Sequence, residues 1–191
     1  MKYQVESGWL SGVRRVPSPH CNSRPENAEV ALLVVHSISL PPGQYGGSYI
    51  DEFFLGHLDI DAHPYFAEIA TLQVSAHLLI DRTGRVTQYV PLHSRAWHAG
   101  QSSYCGRDNC NDFSIGIELE GLDTDTYTEA QYQSLAEATA AIMEAYPAID
   151  KSRITGHSDI APGRKLDPGP GFDWRHFFTR LDQQTGDGPL V

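Results

Sequence analysis

Two histidines and one aspartate, His36, His157 and Asp167, are the residues of this chain whose types and settings best suit holding a metal ion. His157 and Asp167 share the stretch TGHSDIAPGRKLDPGP, residues 155–170. Its prolines and glycines deny the backbone a regular ladder, so loop contacts or something gripped by the side chains must hold it. His36 closes the apolar run ALLVVH, residues 31–36, and a buried strand end is where α/β proteins present ligand groups to a crevice. Two imidazoles and one carboxylate leave a tetrahedral zinc with a position for water, the composition of a hydrolytic site rather than a closed structural one. On spacing alone these three are candidates. The nine histidines need not all be ligands, and His20, His57, His93 and His176 are read as ordinary exposed or hydrogen-bonded residues. His77 is read as a core histidine.

The elements that must position these groups follow from periodicity. Residues 31–36 form a continuous apolar run, as a strand covered on both faces requires. Residues 74–80 and 86–90 predict two further strands, joined antiparallel through the turn at 81–84. Residues 114–120 alternate, with Ile115, Ile117 and Leu119 on one face and Gly116, Glu118 and Glu120 on the other. Thr128 and Gln131 form a capping box ahead of Tyr132, Leu135, Thr139, Ile142, Met143 and Tyr146, a helix that Pro147 stops. Residues 172–181 predict a closing amphipathic helix packed through Trp174, Phe177 and Phe178. This order suits an α/β (mixed α+β) fold, a central mixed β-sheet flanked by helices, better than a sandwich or a bundle. The segment 37–48, rich in Gly and Pro and tethered to His36, is expected to be a mobile cleft wall in which Ile38 and Tyr45 cover a ligand.

Composition narrows the function classes. A length of 191 residues suits one domain spanning 1–191. The formal charge of −10 argues against a nucleic-acid partner, because phosphate binding draws on clustered Lys and Arg. The first twenty residues hold no apolar stretch of signal-peptide length, and the longest apolar run is far short of the roughly 20 residues that cross a bilayer. Cys21, Cys105 and Cys110 are an odd number without paired short spacing, so free thiols in a reducing compartment, the cytoplasm, are expected. No protein partner is evident and a monomer is expected.

Read together, the segments RRVPSPH, LLVVHSISLPPG, AHPYF, VSAHLLI, RAWHAG, NDFSIGIELEG, TGHSDIAPGRKLDPGP and FDW resemble, in order and over nearly the whole length, the cytoplasmic 1,6-anhydro-N-acetylmuramyl-L-alanine amidases of Gram-negative cell-wall recycling. The resemblance implies a zinc amidase of the wider peptidoglycan-recognition and phage-lysozyme amidase fold. It implies one zinc on His36, His157 and Asp167, with Glu118 and Lys165 at the two catalytic positions, an anhydromuropeptide as substrate, and an influence on the muropeptide signals that induce β-lactamase. Tyr65, Trp97 and His98 resemble wall elements of the family's cleft, although a packing role for Trp97 fits equally. Arg82, Arg95 and Arg107 are candidates for acidic groups of the stem peptide. The sequence departs from that pattern at Ser37 and Gln73, where Asn and Arg are expected.

Elementary chemistry agrees with these assignments. Amide hydrolysis joins a poor electrophile to a poor nucleophile, so a metal must acidify water and a base must take its proton. Glu118 is the candidate base, with Gly116 leaving room beside it for water or substrate; a solvated strand carboxylate is the alternative, and the preferred reading for Glu120. Lys165 is the candidate to stabilise charge on the carbonyl oxygen, against the alternative of a surface lysine. An Asp ligand lowers the formal charge of the centre and makes its water less acidic than a three-histidine site would, which places more of the work on Glu118. A module that binds peptidoglycan fragments without cleaving them, and a periplasmic amidase acting on intact wall, are the competing readings.

Overall fold

Six strands form the central sheet of the computed structural model, which describes residues 3–186: β1 (Arg14–Arg15), β2 (Leu32–Ile38), β3 (Leu78–Ile80), β4 (Val86–Gln88), β5 (Ser114–Glu120) and β6 (Ile154–Gly156). Their spatial order is β6-β2-β5-β3-β4-β1. All neighbours are parallel except β3 and β4, the antiparallel hairpin expected around residues 81–84. The helices are α1 (Tyr49–Leu55), α2 (Phe66–Ile69), α3 (Glu129–Ala145), α4 (His157–Ile160) and α5 (Trp174–Thr185). The mixed sheet with flanking helices is the α/β architecture expected from the sequence.

The apolar run of β2 is continuous because both faces are covered. Leu33 and Val35 join Ile115, Ile117, Leu119, Leu78 and Ile80 in the core beneath α3 and α5. Leu32 and Val34 face the opposite way, into a second cluster with Ala99, Cys110, Phe113 and Ile160. A third cluster joins Ile50, Phe53 and Phe54 of α1 to Phe66, Leu79 and Tyr89. The alternation of β5 therefore has a direct meaning: its isoleucine face is core, and its Gly-Glu-Glu face looks toward the side where chemistry is possible.

Helix α3 starts on the expected capping box, with Thr128 Oγ1 accepting from the Gln131 N–H and Gln131 Oε1 accepting from the Thr128 N–H, both at 3.1 Å. Gln131 Nε2 also donates to the Glu120 carbonyl at 2.9 Å, so the cap ties the helix to the end of β5. Several boundaries differ from expectation. Strand β2 runs two residues past His36, β3 begins at Leu78 rather than residue 74, and α5 runs from Trp174 to Thr185. The stretch from residue 155 onward is not devoid of regular structure, since Thr155 and Gly156 end β6 and α4 makes a single turn from His157. All three cysteines are free.

A half-buried cation holds the region behind the sheet end. The Arg24 guanidinium donates to the carbonyls of Leu92 at 3.1 Å, Asn111 at 3.0 Å and Ser114 at 2.9 Å. Burial lowers its pKa to about 10. Replacing it by Met leaves those buried acceptors unsatisfied, so Arg24→Met is expected to cost about 2–4 kcal/mol. Urea unfolding checks this: the midpoint should fall with an unchanged slope.

Candidate metal centre

The sheet order β6-β2-β5 sets three parallel strand ends side by side. Register pairs Glu118 with His36 and Gly156 with Val35, so His157, the next residue, follows at the level of His36. Asp167 returns to this row on the Gly/Pro segment, which several protein contacts hold in place. The Ser158 N–H donates to the Asp167 carbonyl at 3.0 Å, the Tyr127 hydroxyl to the Pro168 carbonyl at 2.8 Å, and the Arg164 guanidinium to the carbonyls of Ala99 at 2.7 Å and Gln101 at 2.6 Å. Gly169 sits at φ +80°, and a Cβ there would fall 1.8 Å from the Asp123 carbonyl oxygen, so no other residue fits.

The result is a tight cluster. His36 Nδ1 lies 2.9 Å from His157 Nδ1 and 3.1 Å from Asp167 Oδ2, and His157 Nδ1 lies 3.0 Å from the same oxygen. Both imidazoles are buried, at 1 % and 3 % exposure. His157 Nε2–H donates to the Ala99 carbonyl at 3.1 Å, which leaves Nδ1 with its lone pair toward the cluster. On the other ring, His36 Nε2 is 2.9 Å from His98 Nδ1, and His98 Nε2 is 3.1 Å from Ser114 Oγ. Burial lowers the His36 pKa to about 4, so it stands neutral and able to ligate. Burial alone would raise the Asp167 carboxyl, but hydrogen bonds to His157 and His36 win and hold it well below the usual carboxylate range. Two imidazole nitrogens and one carboxylate oxygen converge, among the described residues, as a set able to hold a metal ion, and the donor types are those zinc takes.

Beside them Glu118 is 9 % exposed, and its Oε2 has no hydrogen-bond partner among the described residues. Burial first, then the Asp167 charge, push its carboxyl well above the ordinary value, while Lys165 pulls the other way. A buried carboxylate oxygen without a partner is costly unless something outside the chain completes it, which is what a site built for metal and substrate requires. Glu120, two residues on and on the same face, is different. It is 3 % exposed rather than solvated, accepting from the N–H groups of Gly46 at 2.5 Å and Arg82 at 3.0 Å.

A cleft of about 410 Å³ opens onto the cluster, lined by His36, His157, Asp167, Glu118, Lys165, Tyr65, Trp97 and His98 together with Ser37, Ile38, Leu72 and Leu166. Trp97 forms wall and packing at once, stacked on His20 with centroids 6.0 Å apart and donating from Nε1 to Asn22 at 2.8 Å. His98 contributes a wall, but both of its ring nitrogens face protein partners. Arg107 is not brought to the cleft; it is exposed, with its guanidinium over the Phe113 ring at 4.0 Å. Gly116 does not leave space for water or substrate, because a Cβ there would lie 2.5 Å from His98 Cγ and Nδ1: the His98 ring fills that place. His77 is fully buried, as a core histidine should be, and accepts the Gly116 N–H on Nδ1 at 3.0 Å. Of the wall expected to cover a ligand, Ile38 lines the cleft and Tyr45 does not. Tyr45 bonds Asp125 through its hydroxyl and lies 5.1 Å beneath the Arg82 guanidinium.

The comparisons with known proteins agree with this geometry. Residues 26–170 match the model of a family described as N-acetylmuramoyl-L-alanine amidase. The chain is 60 % identical over 181 residues to the 1,6-anhydro-N-acetylmuramyl-L-alanine amidase AmpD of Escherichia coli (strain K12), covering 95 % of this chain and 98 % of that protein. It is 61 % identical over 173 residues to the protein of the same name from Citrobacter freundii, covering 91 % and 92 %. A crystal structure of a Se-Met AmpD derivative superposes with a TM-score of 0.91 at 60 % identity, covering 93 % of this chain and 98 % of that one.

Proposed function

The chain belongs to the N-acetylmuramoyl-L-alanine amidase family, and from that premise we propose that it cleaves the amide joining 1,6-anhydro-N-acetylmuramic acid to L-alanine, with one zinc ion on His36, His157 and Asp167. The observation that carries this reading is the unpartnered, buried Glu118 carboxylate facing the same cleft as a His-His-Asp cluster. When bound, zinc supplies the positive charge that acidifies a water and polarises the amide carbonyl. Glu118 takes the proton of the attacking water and delivers it to the departing amine. Lys165, on the same cleft wall, sets its ammonium against the charge that gathers on the carbonyl oxygen. Tyr65, Trp97 and His98 offer ring faces and edges to sugar and peptide, and the exposed Leu72 and Leu166 give the rim an apolar surface. A stem-peptide role for Arg107 would need a ligand that extends beyond the cleft. Among the described residues no helix is long and apolar enough to cross a membrane, and the likeness to the AmpD amidases supports the cytoplasm as the site of the reaction.

Incubation with an anhydromuropeptide and, separately, with intact peptidoglycan, followed by mass analysis, tests the proposal. Release of free stem peptide from the soluble fragment, well ahead of release from the wall, is expected. Equal cleavage of both would mark a broad wall amidase. Retention of the fragment without cleavage by zinc-loaded protein would mark a binding module.

A further inference from the structure

His98 touches His36 on the side away from the cluster, and its own far nitrogen meets a serine. His36 Nε2, His98 Nδ1, His98 Nε2 and Ser114 Oγ follow one another in a line, with separations of 2.9 Å and 3.1 Å across the two contacts. All three residues are buried, Ser114 completely. The His98 ring stands edge-on to His36, with centroids 5.0 Å apart, and lies against the bare Cα of Gly116, where any side chain would displace it. The Gly116 N–H is held in turn by His77, and the Ser114 carbonyl by Arg24. The ring is therefore clamped from three sides.

Each contact in this line needs one proton between its two atoms, so the tautomers are linked. If His36 is to offer Nδ1 to a metal, its Nε2 must carry hydrogen and donate it. His98 Nδ1 must then be bare, and His98 Nε2–H must donate to Ser114. The opposite arrangement, with hydrogen on His98 Nδ1, would require a bare Nε2 on His36 and put the His36 proton on the atom that faces His157 and Asp167.

We propose that His98 is a positioning residue: by accepting the His36 Nε2–H on its Nδ1, and being held by Ser114 and Gly116, it fixes His36 in the tautomer and orientation that make Nδ1 a metal donor. This deepens the metal-centre reading and rests on it. A histidine ligand whose outer N–H loses its acceptor binds its metal about 10- to 100-fold less tightly. His157 does not share this device, because its outer N–H goes to a backbone carbonyl that no side-chain substitution removes.

The test compares His98→Leu with His98→Asn. The two replacements have nearly the same shape and vacate the same ring volume, so packing loss is common to both; only Asn carries an acceptor near the place of Nδ1. Zinc affinity is measured by competition with a chromophoric chelator. His98→Leu should weaken binding by about 10- to 100-fold, and His98→Asn should recover most of that loss at a similar apo melting temperature. Equal zinc affinity in the two variants, or wild-type affinity in His98→Leu, overturns the proposal. Nitrogen-15 spectra of zinc-loaded wild type decide the matter without any variant: His98 Nδ1 should give a bare-nitrogen signal and Nε2 a protonated one, and hydrogen on Nδ1 overturns it. Wild type that takes up no zinc at all would instead overturn the metal centre itself.

Discussion

Replacing His157 by Ala will remove zinc and amide hydrolysis together. A catalytic zinc keeps three protein ligands and one open position, and the substitution leaves only His36 and Asp167 of the cluster. The variant should still fold. The Ala99 carbonyl that His157 Nε2–H occupies keeps its bond from Arg164 at 2.7 Å, and the Gly/Pro segment keeps its contacts with Tyr127, Ser158 and Arg164. Metal analysis of purified protein should read one zinc per chain in wild type and close to none in the variant, with superimposable far-ultraviolet dichroism. Full zinc occupancy in His157→Ala, or none in carefully prepared wild type, would sink the ligand assignment.

Glu118→Ala should do the reverse, keeping zinc while turnover falls by about 10²- to 10⁴-fold, the scale of a lost general base. Lys165→Ala should also keep zinc and lose turnover, on the order of 10²–10³, as a carbonyl-oxygen partner does. Zinc loss in either would assign a structural role instead. Two further signs distinguish the base. A general base must be ionised to act, so if Glu118 is that base, wild-type kcat/KM should fall as pH drops through the Glu118 pKa, and that acid limb should be missing from the residual activity of the variant. Because Oε2 is buried without a partner, Glu118→Gln should melt no lower than wild type, unlike most changes at buried polar sites. A near-wild-type rate in zinc-loaded Glu118→Ala would rule out the general-base role.

How much of this was legible in the sequence depends on whether a pattern is local. Strand β5 was readable to the residue because Ile115, Ile117 and Leu119 meet one core while the intervening residues meet another environment. The α3 start was readable because a capping box lies within four residues. Strand β1 was not: two exposed arginines carry no apolar signal, and their pairing with Thr87 and Gln88 exists only in three dimensions. Helix α1 went unread, although Ile50, Phe53 and Phe54 recur at helical spacing and could have found it. Residues 74–77 read as strand from their apolar content. In the structure His77 still bonds Gly116 and Tyr89 through its backbone, but Ser75 N–H bonds the Trp97 carbonyl and its hydroxyl the His20 carbonyl, so loop contacts take over from the ladder there.

The site divides in the same way. His36, His157 and Asp167 stood out through their settings, at a strand end and within a Gly/Pro segment. Glu118 and Glu120 are indistinguishable by alternation, and only the approach of Gly46 and Arg82 separates the bonded carboxylate from the unbonded one. His98 had no spacing to betray it. Its signal was Gly116, a mid-strand glycine with ordinary backbone that was read as room for water or substrate and instead marks where the His98 ring comes close.

The grip of Glu120 on Gly46 and Arg82 makes the outer loop and the hairpin turn passengers of the strand that carries Glu118. Tyr45, stacked under Arg82 and bonded to Asp125, extends the same frame to the protein surface. Sequence drift there is therefore not expected to be neutral. A change at residue 45, 46 or 82, none of them lining the cleft, should reach Glu118, the proposed proton acceptor, through two residues of backbone, and so lower kcat while leaving KM little changed.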